Sequence, residues 1–129
     1  MTDQDLEALR AQYNMTQEDA LRLMESRELC ENEFQMGVAA GILWGIRQSN
    51  YTQLKQAALL RDDRLSRAWN PPLKWTELPH CIDPWCDVNR FWNFLKSDQG
   101  NTRDPDFLEG FLQGAKDVFE LVFPAPVAA

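Results

Sequence analysis

An all-α fold is predicted by three features of this 129-residue chain. Apolar residues recur every three or four positions over most of its length, helix-start signals stand ahead of those runs, and no segment alternates apolar and polar residues with period two. The composition supports a packed core: 44% of residues are hydrophobic, including seven Phe, five Trp and two Tyr. Four to six helices in one compact bundle over residues 1–123 account for the pattern, with residues 124–129 as a frayed tail.

Taken in order, Thr2 followed by Asp5 caps a first helix carrying Leu6, Leu9 and Tyr13, which Asn14 ends. Thr16 with Asp19 repeats the capping signal, and Ala20, Leu23, Met24, Leu29, Cys30 and Phe34 follow at helical spacing. The run from Thr16 to Gln48 exceeds the usual length of a globular helix, so it is either one long helix or two with a break between Ser26 and Asn32. Asn50 or Ser49 then caps a helix reaching Ala68, with Tyr51, Leu54, Ala58, Leu59 and Leu65 as its apolar stripe. Asn70-Pro71-Pro72 stops it. Residues 70–83 hold three prolines, Lys74, Trp75 and His80, which predicts an extended, aromatic-pinned connection rather than a helix, and the best-placed functional loop. Asp83-Pro84 supplies an N-cap and a first-turn proline for a helix that buries Val88, Phe91, Trp92 and Leu95 and ends at Gly100 and Asn101. Asp104-Pro105 opens the last helix, to about Val122, with Phe107, Leu108, Phe111, Leu112, Ala115, Val118 and Phe119 filling one side.

The net charge is −7, from 20 acids and 13 Lys or Arg, and it is unevenly distributed. Residues 1–35 carry −6, residues 36–75 carry +4 and residues 76–129 carry −5. Either the surface is dipolar and steers a charged partner, or the basic middle folds onto the acidic ends; the second is the expected arrangement. Within the basic stretch, Arg61, Arg64 and Arg67 at spacings of three, followed by Trp69 and Trp75, are the residues a nucleic-acid footprint would use. Asp62 and Asp63 interrupt that cluster and the whole chain is acidic, so direct nucleic-acid binding is not expected. The longest near-apolar run, Gly37 to Ile46, is far shorter than the roughly 20 residues a membrane span needs. The start Met-Thr-Asp-Gln-Asp lacks the basic then apolar character of an export signal, so the cytoplasm is the expected location. Three cysteines, an odd number, fit reduced thiols in that compartment.

Glu33-Phe34-x-x-Gly37-x-x-x-Gly41 echoes Asp106-Phe107-x-x-Gly110-x-x-x-Gly114. Glycine within a helix costs about 1 kcal/mol relative to alanine, so aligned glycines need compensation, normally close backbone approach. Gly37, Gly41 and Gly45, at steps of four, make one smooth ridge. The two glycine-bearing helices are expected to cross on these faces, within one chain or across a homodimer, with Phe34, Trp44, Phe107 and Phe111 around the crossing.

Chemistry-bearing residues are densest from His80 to Asp87. A zinc site there would use His80, Cys81 and Cys86 with Cys30 as a distant fourth ligand, but adjacent His80 and Cys81 turn awkwardly toward one metal, and Asp83 and Asp87 are accounted for as caps. Buried or half-buried thiols are the simpler reading, so no metal and no cofactor is assigned. Catalysis by Cys81 or Cys86 with His80 as base lacks an orienting third residue and a nucleophile turn. The Glu25-x-x-Glu28 spacing resembles half of the metal-binding pattern of all-α nucleotide pyrophosphohydrolases of the MazG type, whose Glu-x-x-Asp half has no counterpart further along this chain. Those carboxylates read as a solvated helix face.

The reading that these residues support is a non-catalytic acidic interaction module, regulatory, adaptor or inhibitor-like, that meets a basic surface of another protein. Trp75, Lys74, Glu25, Glu28 and Arg64 are its expected contacts, Trp75 as the exposed aromatic anchor. The competing classes are a small-molecule or metal-binding bundle using His80 to Cys86, and a self-assembling structural protein using the glycine-faced helices.

Overall fold

A computed structural model describes residues 32–95 and 104–122 of the chain. These residues form five helices and no strand: α1 (Glu33–Arg47), α2 (Tyr51–Ser66), α3 (Leu78–Ile82), α4 (Val88–Trp92) and α5 (Pro105–Val122). The expected helices before residue 32, the segment at Gly100 and Asn101, the tail at 124–129, and Glu25, Glu28 and Cys30 lie outside the described residues.

Local chemistry sets the helix ends. Asn32 is extended, and its side chain accepts a hydrogen bond from the Gln35 amide at 2.9 Å, so α1 begins at Glu33 and no single helix runs from Thr16 to Gln48. Ser49 closes its other end, donating its hydroxyl to the Gly45 carbonyl at 2.6 Å. Asn50 and Gln53 form a reciprocal capping box on α2, with Gln53 N to Asn50 Oδ1 at 2.9 Å and Asn50 N to Gln53 Oε1 at 3.2 Å. Asp104 accepts the Asp106 amide at 2.8 Å, and Pro105 opens α5, where its missing N–H costs nothing.

Helices α1 and α5 lie side by side and parallel, since positions further along one meet positions further along the other. The smooth glycine ridges make this possible. A Cβ at Gly37 would overlap the Phe107 carbonyl oxygen and come within 2.9 Å of the Phe111 amide nitrogen. Gly110 stands in the same relation to Phe34 and Val38, one turn earlier on the opposite helix. Gly41 meets Phe111 and Ala115, while Gly114 meets Val38 and Ile42. The two echoing motifs therefore grip each other as a local pseudo-twofold pair within one chain. Gly45 differs, facing the side chains of Val118 and Leu54 at 3.2 and 3.3 Å.

Around this seam sits one core, in which α1 buries Met36, Ala39, Ala40, Leu43, Trp44 and Ile46, and α5 buries Phe107, Leu108, Phe111, Leu112, Ala115 and Val118. Phe111 is the aromatic centre, with ring centroids of Trp92 at 5.0 Å, Trp44 at 5.3 Å and Phe91 at 5.9 Å. Trp92 satisfies its indole N–H by donating to the Trp75 carbonyl at 2.9 Å, which ties the connection after α2 to α4.

The stripe on α2 is rotated from the expected one. Leu54, Ala57 and Ala58 are buried, whereas Tyr51, Leu59 and Leu65 are exposed. The small alanines let α2 approach α5, and charged residues complete that contact. Arg61 donates to Glu109 at 2.7 Å and to Gln113 at 3.0 Å, Arg64 holds the other Glu109 oxygen, and Lys116 pairs with Asp62 at 2.6 Å. The basic middle of the chain thus folds onto an acid of its C-terminal segment.

Two boundaries differ from expectation. Leu78–Ile82 is a short helix inside the stretch expected to be extended, because Pro79 falls in its first turn, where proline is tolerated. The next helix begins at Val88 rather than after Asp83. Asp83-Pro84-Trp85-Cys86 forms a turn, with Cys86 N to Asp83 O at 3.1 Å and Trp85 N to Asp83 Oδ1 at 3.1 Å, and Asp87 supplies the cap through Arg90 N at 3.2 Å.

Candidate functional site

The turn between α3 and α4 lifts one large side chain out of the fold. Asp83 bonds the Trp85 amide, Pro84 fixes the backbone ahead of it, and the Trp85 side chain is left 94% exposed. Its wall faces a groove of about 330 Å³ at the junction of three elements. Trp44 and Gln48 come from the end of α1, Gln53 from the first turn of α2, and Cys86, Asp87, Arg90 and Phe91 from the turn and α4. The Trp44 and Phe91 rings, 5.4 Å apart, form its apolar part. Gln53 reaches from the capping box to Asp83 Oδ2 at 3.5 Å, joining the α2 start to the turn.

The electrostatics of this groove are registered by Cys86. Burial, and then the Asp83 carboxylate, push its thiol above the usual range; a hydrogen bond to its own backbone amide opposes this, and Asp87 adds to the rise. Cys86 is therefore a protonated thiol in a negatively biased setting, the opposite of what an activated nucleophile requires.

The expected contact residues are placed differently. Trp75 is half-buried against the core and lends its carbonyl to Trp92, so the anchor role expected of it does not match its position. The exposed tryptophans are Trp85 and Trp69, the latter 76% accessible. Lys74 is exposed and 3.9 Å from Glu77. Arg64 is a correction: it is buried, bonded to Glu109 and donating to the Pro71 carbonyl at 2.8 Å, because α2 turns that face toward α5. Arg61 is committed to the same carboxylate and stacks 5.7 Å from the Phe34 ring. Of the three arginines considered for a nucleic-acid footprint, only Arg67 is exposed, paired with Asp63 at 3.1 Å. His80 and Cys81 are exposed and Cys86 is half-buried, and among the described residues no three His, Cys, Asp or Glu side chains converge on a point that could hold a metal ion.

No family model, curated protein or solved structure matches this chain. The site must therefore be read from its own geometry. The sequence carries a local signal for the exposure of Trp85: in an Asp-Pro turn held by the aspartate side chain, the residue after proline sits at the tip. Gln48, Gln53 and Arg90 gave no such signal, because only the meeting of α1, α2 and α4 brings them together.

Among the described residues no helix is long and apolar enough to cross a membrane.

Proposed function

We propose that this chain is a non-catalytic acidic interaction module, regulatory, adaptor or inhibitor-like, that docks on a basic surface of another protein in the cytoplasm. The observation that carries the reading is Trp85, an almost fully exposed indole held on a fixed turn and bracketed by Asp83 and Asp87. An exposed tryptophan leaves a large apolar surface in water, and tryptophan is among the residues most enriched in interface hot spots. The net charge of −7 favours a basic partner by long-range attraction. Assembly through the glycine ridges is not favoured, since Gly37, Gly41, Gly110 and Gly114 already face backbone within the same chain.

The test is native mass spectrometry of the protein recovered gently from its own cells, beside a Trp85→Ala variant of matched thermal stability. A stoichiometric foreign protein on the wild type, reduced at least about 30-fold in affinity by the substitution, is expected. A partner held equally by both proteins, or an unpartnered species carrying about one zinc's mass, overturns the reading.

A further inference from the structure

We propose that the groove beside Trp85 receives a cationic side chain, arginine or lysine, from the protein partner; this rests on the interaction reading above. Part of the wall is aromatic: Trp85, almost fully exposed, on the rim and the half-buried Phe91 ring, packed on the buried Trp44, while Gln48, Gln53 and Asp87 make the rest polar. An ammonium or guanidinium over such a face is attracted by the ring quadrupole, and most strongly by tryptophan. At about 330 Å³ the groove is of a size for one long side chain rather than a helix or strand.

Charge selects the cation. Asp87 lines the groove, and Asp83, outside the lining, accepts hydrogen bonds from the lining Gln53 side chain and from the Trp85 amide. Each carboxylate spends only part of its accepting capacity on those bonds, so each retains lone pairs for a donor. Cys86, which lines the groove, is close enough to Asp83 and Asp87 for both carboxylates, after burial, to push its thiol up. Arg90 lines the same rim with the opposite sign. Asp87 and Arg90 balance on the lining itself, so the negative bias comes from Asp83, bonded to the lining Gln53, and from the acidic chain as a whole. Arg90 then acts as a brake on cation affinity, which gives the proposal a variant of opposite sign to test.

The experiment is a titration of the full-length protein with acetyl-Gly-Arg-Gly-amide, with acetyl-Gly-Glu-Gly-amide as control, followed through the Trp85 indole N–H and the side-chain amides of Gln48 and Gln53 by NMR. The arginine peptide is expected to shift all three saturably and the glutamate peptide to leave them in place. Asp87→Asn, which retains the capping geometry of α4, should weaken binding about three-fold, and Arg90→Gln should tighten it by a similar factor. No saturable shift with the arginine peptide overturns the proposal, as does glutamate-peptide binding that Arg90→Gln abolishes. If the peptide fails while Trp85→Ala still releases the native partner, the interaction reading stands and the cation assignment falls. If the peptide binds as described but no partner depends on Trp85, the reverse holds.

Discussion

Gly41 of α1 lies directly against the backbone of Phe111 in α5, so that the hydrogen glycine carries in place of a Cβ points at the Phe111 carbonyl oxygen. Such Cα–H to carbonyl contacts contribute about 0.5 to 1 kcal/mol each, and the four motif glycines repeat the arrangement along the seam. This recovers the helix-propensity cost of the glycines and brings the two ridges close enough to seal the core.

Gly41→Ala should therefore be far more damaging than its one added methyl suggests. The obstruction is backbone, which cannot rotate away, and a loss of about 3 kcal/mol or more in urea unfolding is expected. Gly45→Ala is the control: its neighbours are the side chains of Val118 and Leu54, and the gain of about 1 kcal/mol in helix propensity offsets the crowding, leaving stability within about 1 kcal/mol of wild type. Equal effects at the two positions would contradict the backbone-contact explanation.

Glu109 holds both Arg61 and Arg64, the latter buried. Glu109→Ala strands two guanidinium groups where water reaches them poorly and should cost about 3 kcal/mol. Arg67→Ala, which breaks the exposed pair with Asp63, should cost less than about 0.5 kcal/mol. Thermal or urea unfolding of the two variants side by side decides whether the charged contact between α2 and α5 fixes the fold.

Cys86 should alkylate more slowly with iodoacetamide than an ordinary thiol at mildly alkaline pH, because burial and then Asp83 and Asp87 disfavour its thiolate. Asp87→Asn should move its rate-against-pH curve to lower pH, measured by peptide-resolved mass spectrometry. The folded state holds this proton more tightly than the unfolded chain does. The associated stability is thus present at neutral pH and is lost as pH rises above the ordinary thiol range. An unchanged curve in the variant would remove Asp87 as a source of the field.

Much of the helical architecture was legible in the sequence because it follows from local signals. Asn50 with Gln53, and Asp104 with Pro105, mark helix starts by chemistry that acts within one turn. The long apolar face of α5 is unambiguous at 3.6 residues per turn. On α2 Leu54 and Ala58 lie on the buried face as their spacing predicts, but Ala57, which carries little hydrophobic weight, joins them because only small residues admit α5 there, while Tyr51, Leu59 and Leu65 remain outside. The tryptophans were harder still. Trp75 and Trp85 stand in similar proline-rich, polar surroundings, and what separates them is tertiary: Trp92 draws the Trp75 backbone inward, while the Asp83 turn holds Trp85 out. The groove joins residues far apart in sequence, and no local pattern encodes it.

If the Trp85 face is where this protein meets its partner, amide hydrogen exchange on the isolated complex will locate the contact there. Protection on binding is predicted for the turn and α4, from Asp83 to Phe91, and for the junction from Gln48 to Gln53. Protection confined to other parts of the chain, with exchange through residues 83–91 unchanged, would place the partner elsewhere and rule out Trp85 as its anchor.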